Sequence, residues 1–252
     1  MNPLTLTPLP GIPFIRRGDD LAEIILHAIS RARLNLEDGD IFVVAQKVVS
    51  RAEGRLVDLR TVTPSAEAEA LAAKVEKDPR LVELILRESA EVLRAAPGVL
   101  IVEHKLGFVC ANAGIDHSNV CGDDECVLLL PEDPDASADQ LRRRLEEATG
   151  KRLGVLINDS HGRAWRLGTV GVAIGVSGVP ALVDVRGRHD LVGRELRITQ
   201  IGAADELAAA ASLVMGQAAE GIPVVHARGF PYPLRESRLQ ELIRPKEKDL
   251  FR

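Results

Sequence analysis

Aromatic residues make up only 3% of the 252-residue chain, with a single Trp and a single Tyr. That leaves few rings for the stacking platforms that hold single-stranded nucleic acid. Basic charge is not in excess either. The formal net charge is −5, so no electrostatic footprint for nucleic acid or an anionic membrane is present. No apolar run reaches the roughly 18 residues that a spanning helix needs. The N-terminal stretch MNPLTLTPLPGIPF lacks the basic region and unbroken apolar core of a signal peptide, and the expected compartment is the cytoplasm. Three cysteines, an odd number, do not make a disulfide framework. There is no GxSxG nucleophile elbow and no phosphate loop ending in Gly-Lys-Ser/Thr. Internal repeats and low-complexity tracts are absent as well.

What is present is an ordinary globular composition, 46% hydrophobic and 27% charged. The length allows one large domain or two small ones. Residues 1–17 carry Pro3, Pro8, Pro10 and Pro13 around Gly11, which reads as extended or turning backbone. Gly18-Asp19-Asp20 opens a helix whose apolar face is Leu21, Ile24, Ile25, Ala28 and Ile29. Ile41 to Ala45 is a buried-strand run. It leads into Gln46, Lys47 and the segment to Arg55, which suits either an anionic ligand such as phosphate or a solvated turn. Ser65 to Ala95 reads as helical, broken at Asp78-Pro79. Val99–Glu103 and Leu106–Cys110 read as a hairpin, and Val127–Leu130 as a strand. Ser137–Thr149 is an amphipathic helix closed by Gly150.

The stretch Gly154–Arg163, GVLINDSHGR, draws the most attention. Its apolar start is a strand buried on both sides. Asn158 to Gly162 favour a turn, and open α/β sheets bind ligands at such strand ends. Gly162 and Arg163 are candidates for shaping that turn and facing phosphate. Gly168, Gly171, Gly175 and Gly178 follow. Their spacing departs from GxGxxG, and close packing of a strand on its neighbours is the favoured reading. Asp205–Met215 is an Ala-rich helix, Val224–His226 a strand, and 236–252 a polar tail, either a charged helix or loosely ordered.

Three chemistries compete for these residues. Asp116, Asp159, Ser160 and Gln217 offer hard oxygen ligands suited to Mg²⁺ or Mn²⁺. They come from distant segments, so no local spacing proves that they meet. His104, Cys110, His117, Cys121 and Cys126 loosely resemble a zinc set, with free, partly buried cysteines as the simpler account. Ser160 beside His161 could be read as a nucleophile and base, although chain neighbours rarely adopt that geometry.

The order of the blocks carries a resemblance. Gly11-Ile12-Pro13 comes first, then Val48 to Gly54 (VVSRAEG), then Asn112 to Asp116 (NAGID) followed by Ser118-Asn119. Asp159-Ser160 with Gly162-Arg163 comes next, and Met215-Gly216-Gln217 last. Together they resemble the coenzyme F420-0:L-glutamate ligase family, over about residues 9 to 229. That resemblance implies an α/β (α+β) fold with a mixed β-sheet core and flanking helices, as one domain over 1–235, with or without two lobes. It implies a cytoplasmic homodimer that binds neither nucleic acid nor membrane. The implied activity is GTP-dependent addition of L-glutamate by γ-linkage to coenzyme F420-0 through an acyl phosphate, in coenzyme F420 biosynthesis. Mg²⁺ or Mn²⁺, and K⁺, are the implied ions.

By the same resemblance, Asp116, Asp159, Ser160 and Gln217 hold the metals. Gly11, Ile12, Pro13, Phe14, Gln46, Lys47, Arg51 and Asn119 line the GTP, with Met215, Gly216, Gln217, Ala218, Ala219, Glu220, Gly221 and Ile222. Arg51 and Ser160 stand where the family often has Lys and Thr, which keeps the charge and the hydroxyl. No catalytic acid or base is implied. A non-catalytic nucleotide- or metal-binding regulator, and an amide ligase for another acceptor acid, are the alternative functions.

Overall fold

The computed structural model describes residues 3–117, 120 and 124–250. Strand β1 (Thr5–Pro8) opens the chain, and helix α1 (Leu21–Arg31) follows. Asp20 accepts the Glu23 N–H at 3.1 Å, so α1 starts where its capping residues place it. Strand β2 (Ile41–Ala45) is buried from Ile41 to Val44. It passes without a loop into the short helix α2 (Gln46–Ala52).

A second region follows, made of β3 (Leu56–Asp58), α3 (Ala66–Val75), α4 (Pro79–Arg87), β4 (Ser89–Ala96), β5 (Val99–His104) and β6 (Val109–Ala111). Asp78 caps α4, with Pro79 in its first turn. The helical reading fails beyond Arg87. Residues 89–96 pair antiparallel with β5, which pairs in turn with β6. Gly98, at φ +81°, lies in the connection between β4 and β5. Non-local pairing has overridden a run of good helix formers.

Strand β7 (Cys126–Leu128) pairs with β3, and helix α5 (Pro134–Thr149) ends at Gly150 with φ +65°. The remaining elements are β8 (Gly154–Arg163), β9 (Arg166–Ser177), β10 (Val183–Asp184), β11 (Gln200–Ile201), α6 (Ala203–Met215) and β12 (Val224–Arg228). The central sheet has the order β1-β12-β2-β8-β9. Its β2–β8 pair is parallel and its other pairs are antiparallel. Phe42, Val44, Val155 and Ile157 pack into a core with α1 and α5. Ile41, Val43 and Leu156 face the opposite way, into a core with α6. Both faces are covered, which is why β2 and the start of β8 read as unbroken apolar runs. This mixed α/β architecture is the expected one.

The turn expected at Asn158–Gly162 is not there. Beyond a register shift between Ile157 and Asn158, β8 continues through Arg163 against β9. The reversal falls near Trp165, at φ +65°. Pairing with β9 supplies the backbone hydrogen bonds that a turn would otherwise leave to water. Meanwhile β2 stops at Ala45, opposite Asn158. Asp159 and Ser160 therefore sit on a strand that has just lost one of its two neighbours.

Gly171 and Gly175 of β9 are packing residues, whereas at Gly168, φ +81°, a Cβ would meet open space. A Cβ on Gly171 would lie 2.5 Å from the Ala208 carbonyl oxygen and 2.7 Å from the Ser212 Cβ, both on α6. Residues 236–250 form no α-helix, only short 3-10 turns at Leu239–Glu241 and Lys246–Lys248. Leu239 is buried, and the Lys246 ammonium lies 2.6 Å from Glu103 on β5. No helix of the described residues is long and apolar enough to cross a membrane.

One buried ion cluster ties β12 to the start of β2. Asp40, 1% exposed, accepts from Arg228 at 2.8 and 2.7 Å, and His226 Nε2 lies 2.9 Å away. Burial alone would raise the Asp40 pKa. The hydrogen bonds from Arg228, with the imidazole of His226 close by, outweigh it and hold the carboxyl well below the usual range.

Two outcomes are expected. Gly171→Ala should destabilise the fold by about 1–3 kcal/mol in urea unfolding, because backbone rather than a flexible side chain fills the space. Arg228→Leu should cost about 3–5 kcal/mol at pH 7 by leaving a buried charge unpaired. Because the Asp40 pKa is depressed in the fold, its stabilisation is present above the unfolded value of about 3.9 and is lost as pH falls. The gap between wild type and Arg228→Leu should therefore narrow below about pH 4; a gap constant down to pH 2.5 would contradict the assignment.

Candidate active site

A cavity of about 700 Å³ opens where β2 gives way to α2. Its walls are the 12–15 segment, the first turns of α2, Asp116, Val120, residues 158–160 of β8 and the 215–223 segment after α6. Ile12, Pro13, Phe14, Gln46, Lys47, Arg51, Asp116, Asp159, Ser160 and all of Met215 to Ile222 line it. Two implied positions are not among these. Gly11 is not a lining residue; at φ +79° it turns the chain, and a Cβ there would meet the Arg31 guanidinium at 2.7 Å. Asn119 lies outside the described residues.

The passage from β2 to α2 presents Gln46 and Lys47 side by side. Gln46 Nε2 donates to Asp116 Oδ2 at 2.5 Å, and its Oε1 accepts from Ser50 at 2.9 Å. Lys47 Nζ lies 3.5 Å from the same Asp116 oxygen. Asp116 is fixed by a two-way backbone bridge to Leu128. Burial raises its pKa, Lys47 works against that, and the charge of Asp159 adds to the rise. Two carboxylates that repel across a partly desolvated cavity are the arrangement a cation relieves. Arg51 stacks 4.0 Å from the Phe14 ring centroid and donates to the Val120 carbonyl at 3.1 Å.

On β8 the side chains alternate. Ser160 points toward α6, where it donates to Gln217 Oε1 at 2.9 Å; Gln217 Nε2 donates on to Ser212 at 2.9 Å. Asp159 belongs to the other face, where His161 Nε2 lies 2.9 Å from its Oδ2. Both residues reach the cavity because β2 no longer covers that edge. Asn158, 4% exposed, contacts the Met215 sulfur through Nδ2 at 3.6 Å. Its Oδ1 finds no hydrogen-bond partner among the described residues.

The donor set of Asp116, Asp159, Ser160 and Gln217 is entirely oxygen. That fits a hard divalent cation such as Mg²⁺ or Mn²⁺ rather than zinc. Among the described residues no group of three or more His, Cys, Asp or Glu is gathered to hold a metal. The described members of the zinc set, His104, Cys110, His117 and Cys126, form no such group, and Cys121 lies outside the described residues; the two aspartates depend on neutral oxygens as companions. Cys110 is free and buried, its thiol pushed up to about 12 chiefly by burial. Cys126 is in a disulfide, which corrects the expectation of a free thiol there. The Ser160–His161 nucleophile reading also fails, because the two side chains leave β8 on opposite faces.

Arg163 donates to the Leu167 carbonyl and is not among the residues that line the cavity. Arg55 pairs with Glu88 at 2.6 Å and Glu132 at 3.0 Å and is structural. The sequence weighs His161 only as a base for Ser160, not as a companion of Asp159, and gives Asn158 no site role. The period-2 spacing of Asp159 and His161 would have exposed the first, had residues 158–162 been read as strand.

Comparison with known proteins gives the family. The family model described as F420-0:Gamma-glutamyl ligase matches residues 11–229. The chain is 49% identical over 251 residues to the coenzyme F420:L-glutamate ligase of Methanothermobacter thermautotrophicus, covering 99% of both chains. It is 48% identical over 245 residues to the protein of that name in Archaeoglobus fulgidus (97% and 95% covered) and 46% identical over 243 residues to that in Methanocaldococcus jannaschii (96% and 94% covered). Matching over nearly its whole length, this chain belongs to the F420-0:gamma-glutamyl ligase family.

Proposed function

We propose that the chain uses GTP to join L-glutamate by a γ-linkage to coenzyme F420-0, through an acyl phosphate. The observation that carries this reading is the facing pair Asp116 and Asp159, set in one cavity with Lys47, Arg51 and the 215–222 segment. A carboxylate does not condense with an amine in neutral water without activation. Transfer of the γ-phosphoryl group to the acceptor carboxylate makes a mixed anhydride and GDP. The glutamate amine then attacks the acyl carbon. The C–N bond forms, the C–O bond to phosphate breaks, phosphate leaves with the electron pair, and the amine gives up its protons to water.

Such chemistry is mostly positioning and charge neutralisation. Lys47 and Arg51 present cationic donors to phosphate oxygens. Phe14 and Arg51 offer a stacked surface for a planar base. Gln46 holds Asp116, and His161 holds Asp159. Mg²⁺ or Mn²⁺ carried by Asp116, Asp159, Ser160 and Gln217 would supply countercharge to the phosphoryl oxygens. A homodimer fits the exposed apolar side chains at the β8–β9 tip, where Trp165 is 87% and Leu167 99% exposed; Leu191, Val192 and Ile198 are exposed on the 185–199 segment.

With Mn²⁺, GTP, L-glutamate and coenzyme F420-0, GDP release should require both the acceptor and the amino acid. GTP binding without acceptor-dependent release would instead mark a regulatory protein, and turnover with a different acid alone would mark another ligase. Asp159→Asn should lower kcat about 100-fold or more at saturating Mn²⁺; full activity would remove Asp159 from the metal site. His161→Ala should raise the Mn²⁺ concentration for half-activity by about 10–100-fold, a change that a purely structural contact would not produce. Trp165→Asp combined with Leu167→Asp should convert the dimer to a monomer by light scattering, and an unchanged mass would place the interface elsewhere.

A further inference from the structure

A second cavity, of about 260 Å³, lies on the other side of His161. Phe108, His161, Asp205, Leu242 and Arg244 are among the residues that line it. Its size suits a molecule of a few heavy atoms rather than a nucleotide. Its charges are unusual. Asp205, in the first turn of α6, uses Oδ1 to accept the Ala173 N–H at 2.9 Å. It makes no salt bridge with a described residue. Arg244, on the C-terminal tail, makes none either. Asp249 also lines the cavity and is already partnered. One cavity therefore holds a carboxylate and a guanidinium that do not neutralise each other. A zwitterion satisfies both, because its ammonium and carboxylate carry the opposite charges on one small frame.

Position gives the zwitterion a direction. The Asp205 end is the His161 end, since the imidazole lies close enough to act on the Asp205 charge. Burial raises the Asp205 pKa, and an ammonium beside it would favour the ionised form. His161 also contacts Asp159, which faces the larger cavity. An amine seated against Asp205 is thus separated from the proposed phosphoryl-handling carboxylates by a single imidazole. Arg244 lines the same cavity from a segment held to the body by Leu239 and Lys246.

We propose that this second cavity seats the incoming α-amino acid, with its ammonium toward Asp205 and His161 and a carboxylate on Arg244. The assignment rests on the ligase reading above, and it makes Asp205 and Arg244 binding residues for L-glutamate.

Asp205→Asn keeps an oxygen for the Ala173 N–H, and Arg244 is an exposed side chain, so both variants should fold; circular dichroism and thermal melting check that. In steady-state kinetics each should raise the KM for L-glutamate at least tenfold while leaving the KM for GTP within twofold. Arg244→Lys should recover part of the loss. If the wild type turns over and both variants keep its KM for L-glutamate, the inference is overturned and the ligase reading stands. If the wild type shows no acceptor-dependent turnover, the ligase reading fails, and saturation-transfer NMR with L-glutamate decides the cavity separately. Signal from the wild type that is lost in Arg244→Gln would support the site. Equal signal from both, or none from either, would overturn it.

Discussion

The parallel pairing of β2 with β8, and its end at Ala45 opposite Asn158, is the constraint on which the site depends. Up to that point both strands are sealed on two faces and admit only apolar side chains. One residue later β2 bends into α2, while β8 continues with β9 alone. The gap is filled by polar side chains from both lines: Gln46 and Lys47 from one, Asp159 and Ser160 from the other. Segments 12–15, Asp116 and 215–223 then close around that gap. The cavity is a consequence of one strand stopping before its neighbour.

Much of this frame is legible in the amino-acid order. Strand β2, helix α1 with its Asp20 cap, the Asp78-Pro79 break and the Gly150 closure all follow from local rules, and all are found. So is the packing role of Gly171, because a glycine among β-branched residues has few other uses in a strand. Failures occur where a distant partner decides. Ser89–Ala96 is strand because β5 is there to pair with it, and Asn158–Gly162 is strand because β9 is. Polar, turn-prone residues at 158–162 gave no sign of that pairing, since their side chains answer to the cavity rather than to the ladder.

Site residues were legible in a different way. Spacing alone could not bring Asp116, Asp159 and Gln217 together, as each arrives from a different element. The order of short blocks along the chain carried that information, through resemblance. What resemblance did not carry was the support around the oxygen donors. His161 against Asp159, Gln46 against Asp116 and Ser212 against Gln217 are contacts between elements. Gly11 sits inside a matching block, and its visible part is to turn the chain beside Arg31 at the start of the segment that lines the cavity.

Strand β8 carries Asp159, Ser160 and His161 in succession, and a strand assigns faces by odd and even position. Asp159 and His161 share a parity, and Ser160 has the other. At the register shift Ile157 pairs with Gly175 and Asn158 with Ala173, so the extra residue, Ile174, belongs to β9 and the alternation along β8 runs on unbroken. A slip of a single residue along β9 would leave the backbone ladder nearly as well paired. It would also send Ser160 toward Asp116 and both Asp159 and His161 toward α6. The arm can thus be folded, hydrogen-bonded and wrong, with its oxygen donors delivered to the wrong sides.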